Sequence, residues 1–201
     1  MPRLRRAEQV QRNRDLVIAA ARRVFLARGY AGATLEAIAD EAGFSKGVVY
    51  SQFESKGDLF MTLLERRIAD RAAENERAVG SLAAGDAVRA LLRAAERDAQ
   101  AAAEWTRVLV EFRILAAREP ELNRRYGDAH ARAVDRLADL LRRLHARDQR
   151  RPAFPLRSMA ELIFAFGAGT ALERAANPAA LPIRIAEGML IHALGLASEA
   201  R

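Results

Sequence analysis

Two short apolar-faced segments separated by one glycine constrain this chain more than any other feature in it. From Thr34 to Lys56 the sequence reads Thr-Leu-Glu-Ala-Ile-Ala-Asp-Glu-Ala-Gly-Phe-Ser-Lys-Gly-Val-Val-Tyr-Ser-Gln-Phe-Glu-Ser-Lys. Leu35, Ile38, Ala39 and Ala42 fall on one helical face, Thr34 is placed to cap that helix, and Glu36 in its first turn complements the dipole. Gly43 ends it and Phe44 fills the turn. Ser45 is then placed to cap a second short helix that carries Val48, Val49 and Phe53 inward. Two helices joined this tightly cross near a right angle and must approach closely, which explains the small Ala39 at the contact and Gly43 in the turn.

The flanking segments also read as helices. From Val10 to Arg28 the residues Val17, Ala20, Ala21, Val24 and Phe25 recur at helical spacing, and Gly29 supplies the left-handed residue that closes the stretch. Ser55-Lys56-Gly57-Asp58 is a variant capping box opening a longer helix to about Ala78, which links two domains. After a break at Gly80 to Gly85, periodic segments run from Asp86 to Ala103, Glu104 to Ala117 and Glu121 to Arg147. Pro120 separates the last two. A polar stretch from Asp148 to Pro155 reads as a loop, and helices follow at Leu156–Ala176 and Pro182–Ser198. A chain rich in Ala, Leu, Arg and Glu, with 6% aromatic residues, favours helix throughout, so the expected fold class is all-α.

Charge is unevenly placed along the 201 residues. Residues 1–28 hold Arg3, Arg5, Arg6, Arg12, Arg14, Arg22, Arg23 and Arg28 against Glu8 and Asp15, so they carry most of the net +7. A basic patch confined to one end suits a polyanion, because neutralising phosphates releases condensed counterions. The Arg3 to Arg14 arm suits either phosphates or the minor groove, or is a disordered tail.

Other classes of function find little support. There is no Cys, hence neither a disulfide framework nor a thiolate metal site, which fits a cytoplasmic location. The apolar run Leu162 to Leu172 is too short to cross a bilayer, and Arg22 with Arg23 interrupts the run Leu16 to Leu26 where a signal peptide needs continuity. His130, His145 and His192 lie in separate stretches without metal spacing, and no phosphate loop, nucleophile elbow or paired-carboxylate motif occurs. No enzyme, cofactor, metal site or membrane span is expected.

A pair of helices built like 34–56 lays its second helix in the major groove of double-stranded DNA. The outward residues there are Ser45, Lys46, Gly47 and Val48, with Ser51 and Gln52 one turn on. Lys46 suits guanine O6 or N7 and Gln52 suits adenine, although both can also touch only phosphate. Thr34, Tyr50 and Lys56 bring hydroxyls and an ammonium to the two ends of the motif, where they can grip the backbone.

Helix one ending in Arg-Gly-Tyr, Thr34, and the run Gly43-Phe-Ser-Lys-Gly-Val-Val-Tyr-Ser-Gln-Phe with Ser-Lys56 together resemble the TetR family of repressors over residues 10 to about 65. The resemblance implies an N-terminal three-helix helix-turn-helix domain, residues 1–57, followed by a helical ligand-binding and dimerisation domain, residues 58–201. It implies phosphate contacts from Thr34, Tyr50 and Lys56, and base-facing positions at Ser45 to Val48, Ser51 and Gln52. Family members often carry Thr or an aromatic and His where this chain has Val48, Ser51 and Gln52, so its operator is its own.

The resemblance also implies an apolar pocket in the C-terminal region, for which Trp105, Leu109, Phe112, Arg113, Tyr126, His130 and Phe164 are candidates. Small residues on the last two helices, Ala160, Gly167 and Ala171 with Gly188, Ala193 and Ala197, alongside Phe164, Leu190 and Leu194, suit a four-helix interface between two copies. A homodimer would read a palindrome with two recognition helices about one DNA turn apart. The expected function is a ligand-released repressor, in which a small apolar or amphipathic molecule shifts the helix from Ser55 to Ala78. The alternatives are a regulator whose C-terminal region serves only dimerisation or a protein partner, and a small all-α enzyme.

Overall fold

The computed structural model describes residues 2–97, 99–149 and 151–196. Among them are nine helices and no strand: α1 (Pro2–Gly32), α2 (Leu35–Ala42), α3 (Lys46–Tyr50), α4 (Lys56–Val79), α5 (Ala84–Arg97), α6 (Ala99–Ala116), α7 (Pro120–Arg147), α8 (Leu156–Ala176) and α9 (Ile183–Ala193). They form two compact units. The first takes Met1–Arg67 and Val108–Tyr126, the second Ile68–Arg107 and Gly127–Arg201.

In the first unit the stripe Val17, Ala20, Ala21, Val24 and Phe25 is buried, as are Leu35, Ile38 and Ala39 of α2 and Val49 and Phe53 at and after α3. Thr34 caps α2 by accepting the Ala37 N–H at 3.1 Å. Gly43, at φ 72°, closes it: its N–H bonds to Asp40 O and that of Phe44 to Ala39 O, both about 3 Å. The left-handed residue that turns one helix into the next is thus the glycine the pattern requires.

An aromatic cluster holds this unit together. Phe60 stacks on Phe112 at 4.4 Å, meets Phe25 and Tyr30 edge-on at 5.1 Å each, and Phe112 lies 6.0 Å from Tyr126. Such pairs each add about 0.5–1.5 kcal/mol beyond the area they bury. Burial, helped by the negative charge of Glu119, pushes the Tyr30 hydroxyl up to about 12.

The first helix differs from its expected bounds at both ends. It begins at Pro2 rather than Val10, with Gln9–Asn13 and Gln11–Asp15 pairs one turn apart along its exposed start. Gly29 breaks the helical path at φ 70°, ψ 173°, a region essentially confined to glycine, and the chain resumes helical hydrogen bonding to Gly32. A Cβ at Gly29 would lie 2.6 Å from Glu111 Oε2, so the carboxylate occupies the space a side chain would need. The same carboxylate accepts the Ala31 N–H at 3.2 Å.

At the start of α4, Ser55 Oγ accepts the Asp58 N–H at 3.0 Å, as a capping box requires, while the Asp58 carboxylate reaches Glu54 N instead of the cap residue. Arg125 donates to the other Asp58 oxygen at 3.0 Å, and Gly57 lets Leu122 approach to 3.0 Å of where a Cβ would stand. The first turn of α4 is therefore pinned to the first turn of α7.

The second unit has an aliphatic core: Val79, Val88, Leu140, Leu141, Leu144, Met159, Ile191, Leu194 and Leu196 are buried together. Adjacent residues at the end of α7 organise the turn before α5. Arg147 donates to Gly80 O and Leu82 O, and Asp148 accepts the Ala84 N–H at 2.8 Å, capping α5 from a distant helix. His145 is buried with each ring nitrogen 2.8 Å from a carbonyl, Leu141 O and Leu194 O. It ties α7 to the end of α9.

The last helix of this unit departs from expectation, stopping at Ala193. Gly195, at φ 67°, bonds through its N–H to His192 O, and Leu196 N to Ile191 O, the glycine closure already seen at Gly43. Ala197 and Ser198 lie outside the described residues.

Candidate nucleic-acid interface

The recognition segment is short because the sequence makes it so. Ser45 holds the extended cap conformation before α3 but makes no side-chain cap bond, contrary to its expected role, and its hydroxyl is left on the exposed surface. Lys46 and Gly47 follow, both exposed, and a Cβ on Gly47 would meet nothing closer than Ser45 Oγ at 4.0 Å. The first turn of α3 therefore offers bare backbone to an approaching surface. Val49 turns inward, Val48 is half-buried, and the Ser51 hydroxyl bonds back to Val48 O at 2.9 Å.

Gln52 sits differently from the residues before it. It is half-buried, and its side-chain oxygen is enclosed without a hydrogen-bond partner among the described residues. Arg14 donates to its backbone carbonyl at 2.9 Å and lies over the Phe53 ring at 4.3 Å. Arg14 thus anchors the end of the recognition segment to α1, a role that its place in a basic run does not advertise. A Gln52 that pairs with adenine must first swing its amide outward.

Of the three expected grips on the DNA backbone, Thr34 and Tyr50 are exposed on the face that carries Lys46. The Tyr50 hydroxyl donates to Glu36 Oε1 at 2.9 Å, and the Lys46 ammonium stands 3.9 Å from the same oxygen. The Glu36 backbone N–H, the Tyr50 hydroxyl, the Lys46 charge and the Thr34 hydroxyl hold the Glu36 carboxyl below its ordinary range, and the Tyr50 phenol is correspondingly raised. The sequence shows Glu36 only as an acid in the first turn of a helix. Its meeting with Tyr50, fourteen positions on, is a product of how α2 and α3 cross.

Lys56 is placed apart from this group. Its ammonium donates to Tyr30 O, Ala31 O and Ala33 O at 2.8, 3.3 and 3.0 Å and lies 4.6 Å from the centre of the Tyr30 ring. An ammonium has three donors, and here all three close the turn between α1 and α2. Partial burial lowers its pKa, while the negative charge of Glu111 opposes that shift.

The basic surface around the motif comes from exposed Arg6, Arg12, Arg22 and Arg28, while Arg23 pairs with Glu41 at 2.6 Å and Arg66 with Asp15 at 2.7 Å. Arg3 and Arg5 have side chains outside the described set.

The seven candidates for a ligand pocket divide between the units. Phe112 and Tyr126 belong to the aromatic cluster of the first, where Arg113 lies 5.2 Å over the Tyr126 ring and Leu109 is half-buried. Trp105 is buried in the second unit, where His130 meets Phe164 edge-on at 5.4 Å. A separate cleft of about 210 Å³ between α4 and α5 is lined by Arg71, Glu74, Asn75, Arg77, Ala78, Ala94 and Arg97. None of the seven candidates lines it. Among the described residues no group of acids and histidines is arranged to hold a metal ion, and no helix is long and apolar enough to cross a membrane.

The small-residue candidates on α8 and α9 also divide. Ala160, Leu190 and Leu194 are buried within the unit, whereas Gly167 and Gly188 are exposed with nothing within 4 Å of a Cβ position. Leu162, Phe164 and Leu172 on α8, and Ile185 and Met189 on α9, are 38–59% exposed.

Comparison with known proteins agrees with this layout. Residues 17–63 match the model of bacterial regulatory proteins of the tetR family, and residues 84–195 match the BetI-type transcriptional repressor C-terminal domain. The chain is 41% identical over 66 residues to the HTH-type transcriptional activator FasR of Mycolicibacterium smegmatis, covering 32% of this chain and 30% of that protein. It is equally identical over 61 residues to the transcriptional regulator TtgR of Pseudomonas putida, covering 30% and 29%. It therefore spans less than a third of the length of these curated relatives. Solved structures extend the likeness of fold to almost the whole chain: the fatty acid degradation regulator FadR from Bacillus halodurans superposes with a TM-score of 0.70 over 90% of this chain and 93% of that one, at 16% identity. FadR from Bacillus subtilis, solved in complex with stearoyl-CoA, gives 0.60 over 91% and 98%, also at 16% identity. With its helix-turn-helix over 17–63 and a BetI-type domain covering more than half its length, the chain belongs to the TetR family of bacterial regulatory proteins.

Proposed function

We propose that this protein is a cytoplasmic transcriptional repressor that binds a two-fold symmetric operator as a homodimer and is released from it by a small apolar or amphipathic ligand. The observation that carries the DNA-binding part is the single exposed face on which Thr34, Ser45, Lys46, Gly47 and Tyr50 stand together, with bare backbone at Gly47. Ser45 to Val48 and Ser51 read bases, and Gln52 joins them once its amide turns outward. Thr34 and Tyr50 hold phosphates. Lys56 serves this face by fixing the turn before α2, since its donors are already engaged.

Dimerisation is assigned to α8 and α9. Leu162, Phe164, Leu172, Ile185 and Met189 are exposed on these two helices, and the exposed Gly167 and Gly188 on them would admit a close neighbour. A protein made of relatives named as regulators, with a C-terminal domain of a repressor type, acts by occupying DNA rather than by catalysis.

Ligand control rests on α4, whose residues belong to the DNA-binding unit up to Arg67 and to the second unit from Ile68. A ligand that favours one position of this helix changes the spacing of the recognition helices. The stearoyl-CoA bound by a relative of similar fold makes long-chain acyl thioesters the first class to test. Selection of bound duplexes from a random pool gives the operator, and sedimentation gives the stoichiometry on it. Acyl-CoA thioesters titrated against the operator complex should weaken it roughly 5- to 150-fold, the usual range of allosteric coupling. Constant affinity across a broad ligand screen overturns the inducible reading and leaves the dimeric DNA-binding protein.

A further inference from the structure

Tyr50, a donor expected to meet DNA phosphate, and the base-facing Lys46 beside it already hold an anion of the protein's own. Tyr50 Oη donates to Glu36 Oε1 at 2.9 Å and Lys46 Nζ stands 3.9 Å from that oxygen, while the exposed Thr34 hydroxyl caps the helix that carries Glu36 and accepts the Ala37 N–H. These residues come from the cap of α2, the first turn of α3 and its last residue. All of them stand at the surface, so the site is open to a polyanion.

A carboxylate and a phosphodiester present the same thing to these donors: two anionic oxygens that accept charge-assisted hydrogen bonds. We propose that the Glu36 carboxylate occupies a backbone-phosphate subsite of the free protein, and that a DNA phosphate displaces it on binding. This rests on the reading that Tyr50 and Thr34 are phosphate contacts.

Two consequences follow from charge alone. Before DNA arrives, the carboxylate keeps the Tyr50 hydroxyl and the Lys46 ammonium gathered around one point, so they are ordered in advance. When DNA arrives, those bonds must be exchanged and a negative charge is left beside the phosphate backbone. The second effect weakens binding to every sequence alike. Glu36 thereby lowers non-specific affinity without touching a base, and occupancy of an operator depends more heavily on the base-reading residues. The displaced carboxylate also takes up a cation, so the salt dependence is shallower than the number of phosphates gripped would give.

The test is Glu36→Gln, which keeps the shape of the side chain and removes its charge, measured by fluorescence anisotropy on a random duplex and on the selected operator across a salt series. Binding to both should tighten by roughly two- to fivefold, the scale of one exposed ion pair, with a slope against log salt steeper by up to about 0.9. Asp40→Asn removes one charge from the same helix away from these donors and should change affinity less. Glu36→Ala provides a second version of the occupant's removal, and thermal unfolding reports whether α2 survives in each. Unchanged or weaker binding by Glu36→Gln, or equal tightening by Asp40→Asn, overturns the proposal. Tyr50→Phe separates the two layers: weakened binding to both duplexes, with no tightening from Glu36→Gln, keeps the phosphate contact and removes the internal occupant, whereas unchanged binding by Tyr50→Phe removes the contact itself.

Discussion

The two units of this protein bury their apolar residues to different degrees of completion. In the first, Phe25, Phe60 and Phe112 are fully buried, and Tyr30 and Tyr126 nearly so, all within one aromatic cluster. In the second, the core of α5, α7 and α9 is equally dry, yet α8 and α9 also turn Leu162, Phe164, Leu172, Ile185 and Met189 outward. A DNA-reading surface must be polar and rigid when alone, because its partner is a charged rod that supplies no apolar surface. A surface meant for a second protein copy is incomplete until that copy arrives. The first unit leaves Val10, Leu16 and Ile114 exposed as well, on α1 and α6, whereas α8 and α9 gather five such residues on two helices.

The strongest way to break this comparison is to open the closed core. Phe60→Ala removes the ring that contacts Phe25, Tyr30 and Phe112, and should cost about 3–5 kcal/mol in chemical denaturation. A cost near 1 kcal/mol would show that the aromatic cluster is loosely packed. Next in size is the open face: Ile185→Glu combined with Met189→Glu places charges where α9 is apolar and exposed, and should convert dimer to monomer by sedimentation with helical content retained. Operator affinity should fall at least about 100-fold, or roughly 2.7 kcal/mol, because one half-site is lost. A dimer that persists would move the interface elsewhere.

Smaller effects sharpen the comparison inside the first unit. Lys56→Met deletes three bonds to carbonyls and should destabilise the protein by about 1–2 kcal/mol while leaving the slope of affinity against salt unchanged. A slope shallower by about 0.9 would instead make Lys56 a direct phosphate contact. Gly43→Ala comes last. Its φ of 72° penalises any side chain, but nothing lies within 4 Å of the added Cβ, so about 1 kcal/mol is expected. Gly29→Ala, with the same sign of φ but with Glu111 in the way, should cost more, and an equal cost would show that the carboxylate yields freely.

Much of this molecule is local. The apolar spacing of Val17 to Phe25, the cap at Thr34, the glycine at 43 and the Ser55 to Asp58 cap each act within a turn or two of chain, and each stands in the structure where the sequence places it. Helix boundaries were less legible wherever a nearby break decided them or the apolar pattern did not reach them: Gly195 stops α9, and the first helix begins at Pro2, ahead of the periodic stretch from Val10.

The candidate site was legible as a set of residues but not as a set of partners. Lys46 and Tyr50 could be named from the motif, yet Glu36 as their shared acceptor, Arg14 as the anchor of Gln52 and Phe53, and Lys56 as the clasp on Tyr30 to Ala33 involve chain separations of up to 39 residues. What the sequence determined by itself is the all-helical build, the helix-turn-helix and its basic flank, because helix periodicity, caps and glycine turns are short-range properties. Tertiary structure alone decided which donors are spent, which carboxylate they meet and which apolar faces stay uncovered. Those outcomes depend on distances between residues far apart in the chain, and only packing sets such distances.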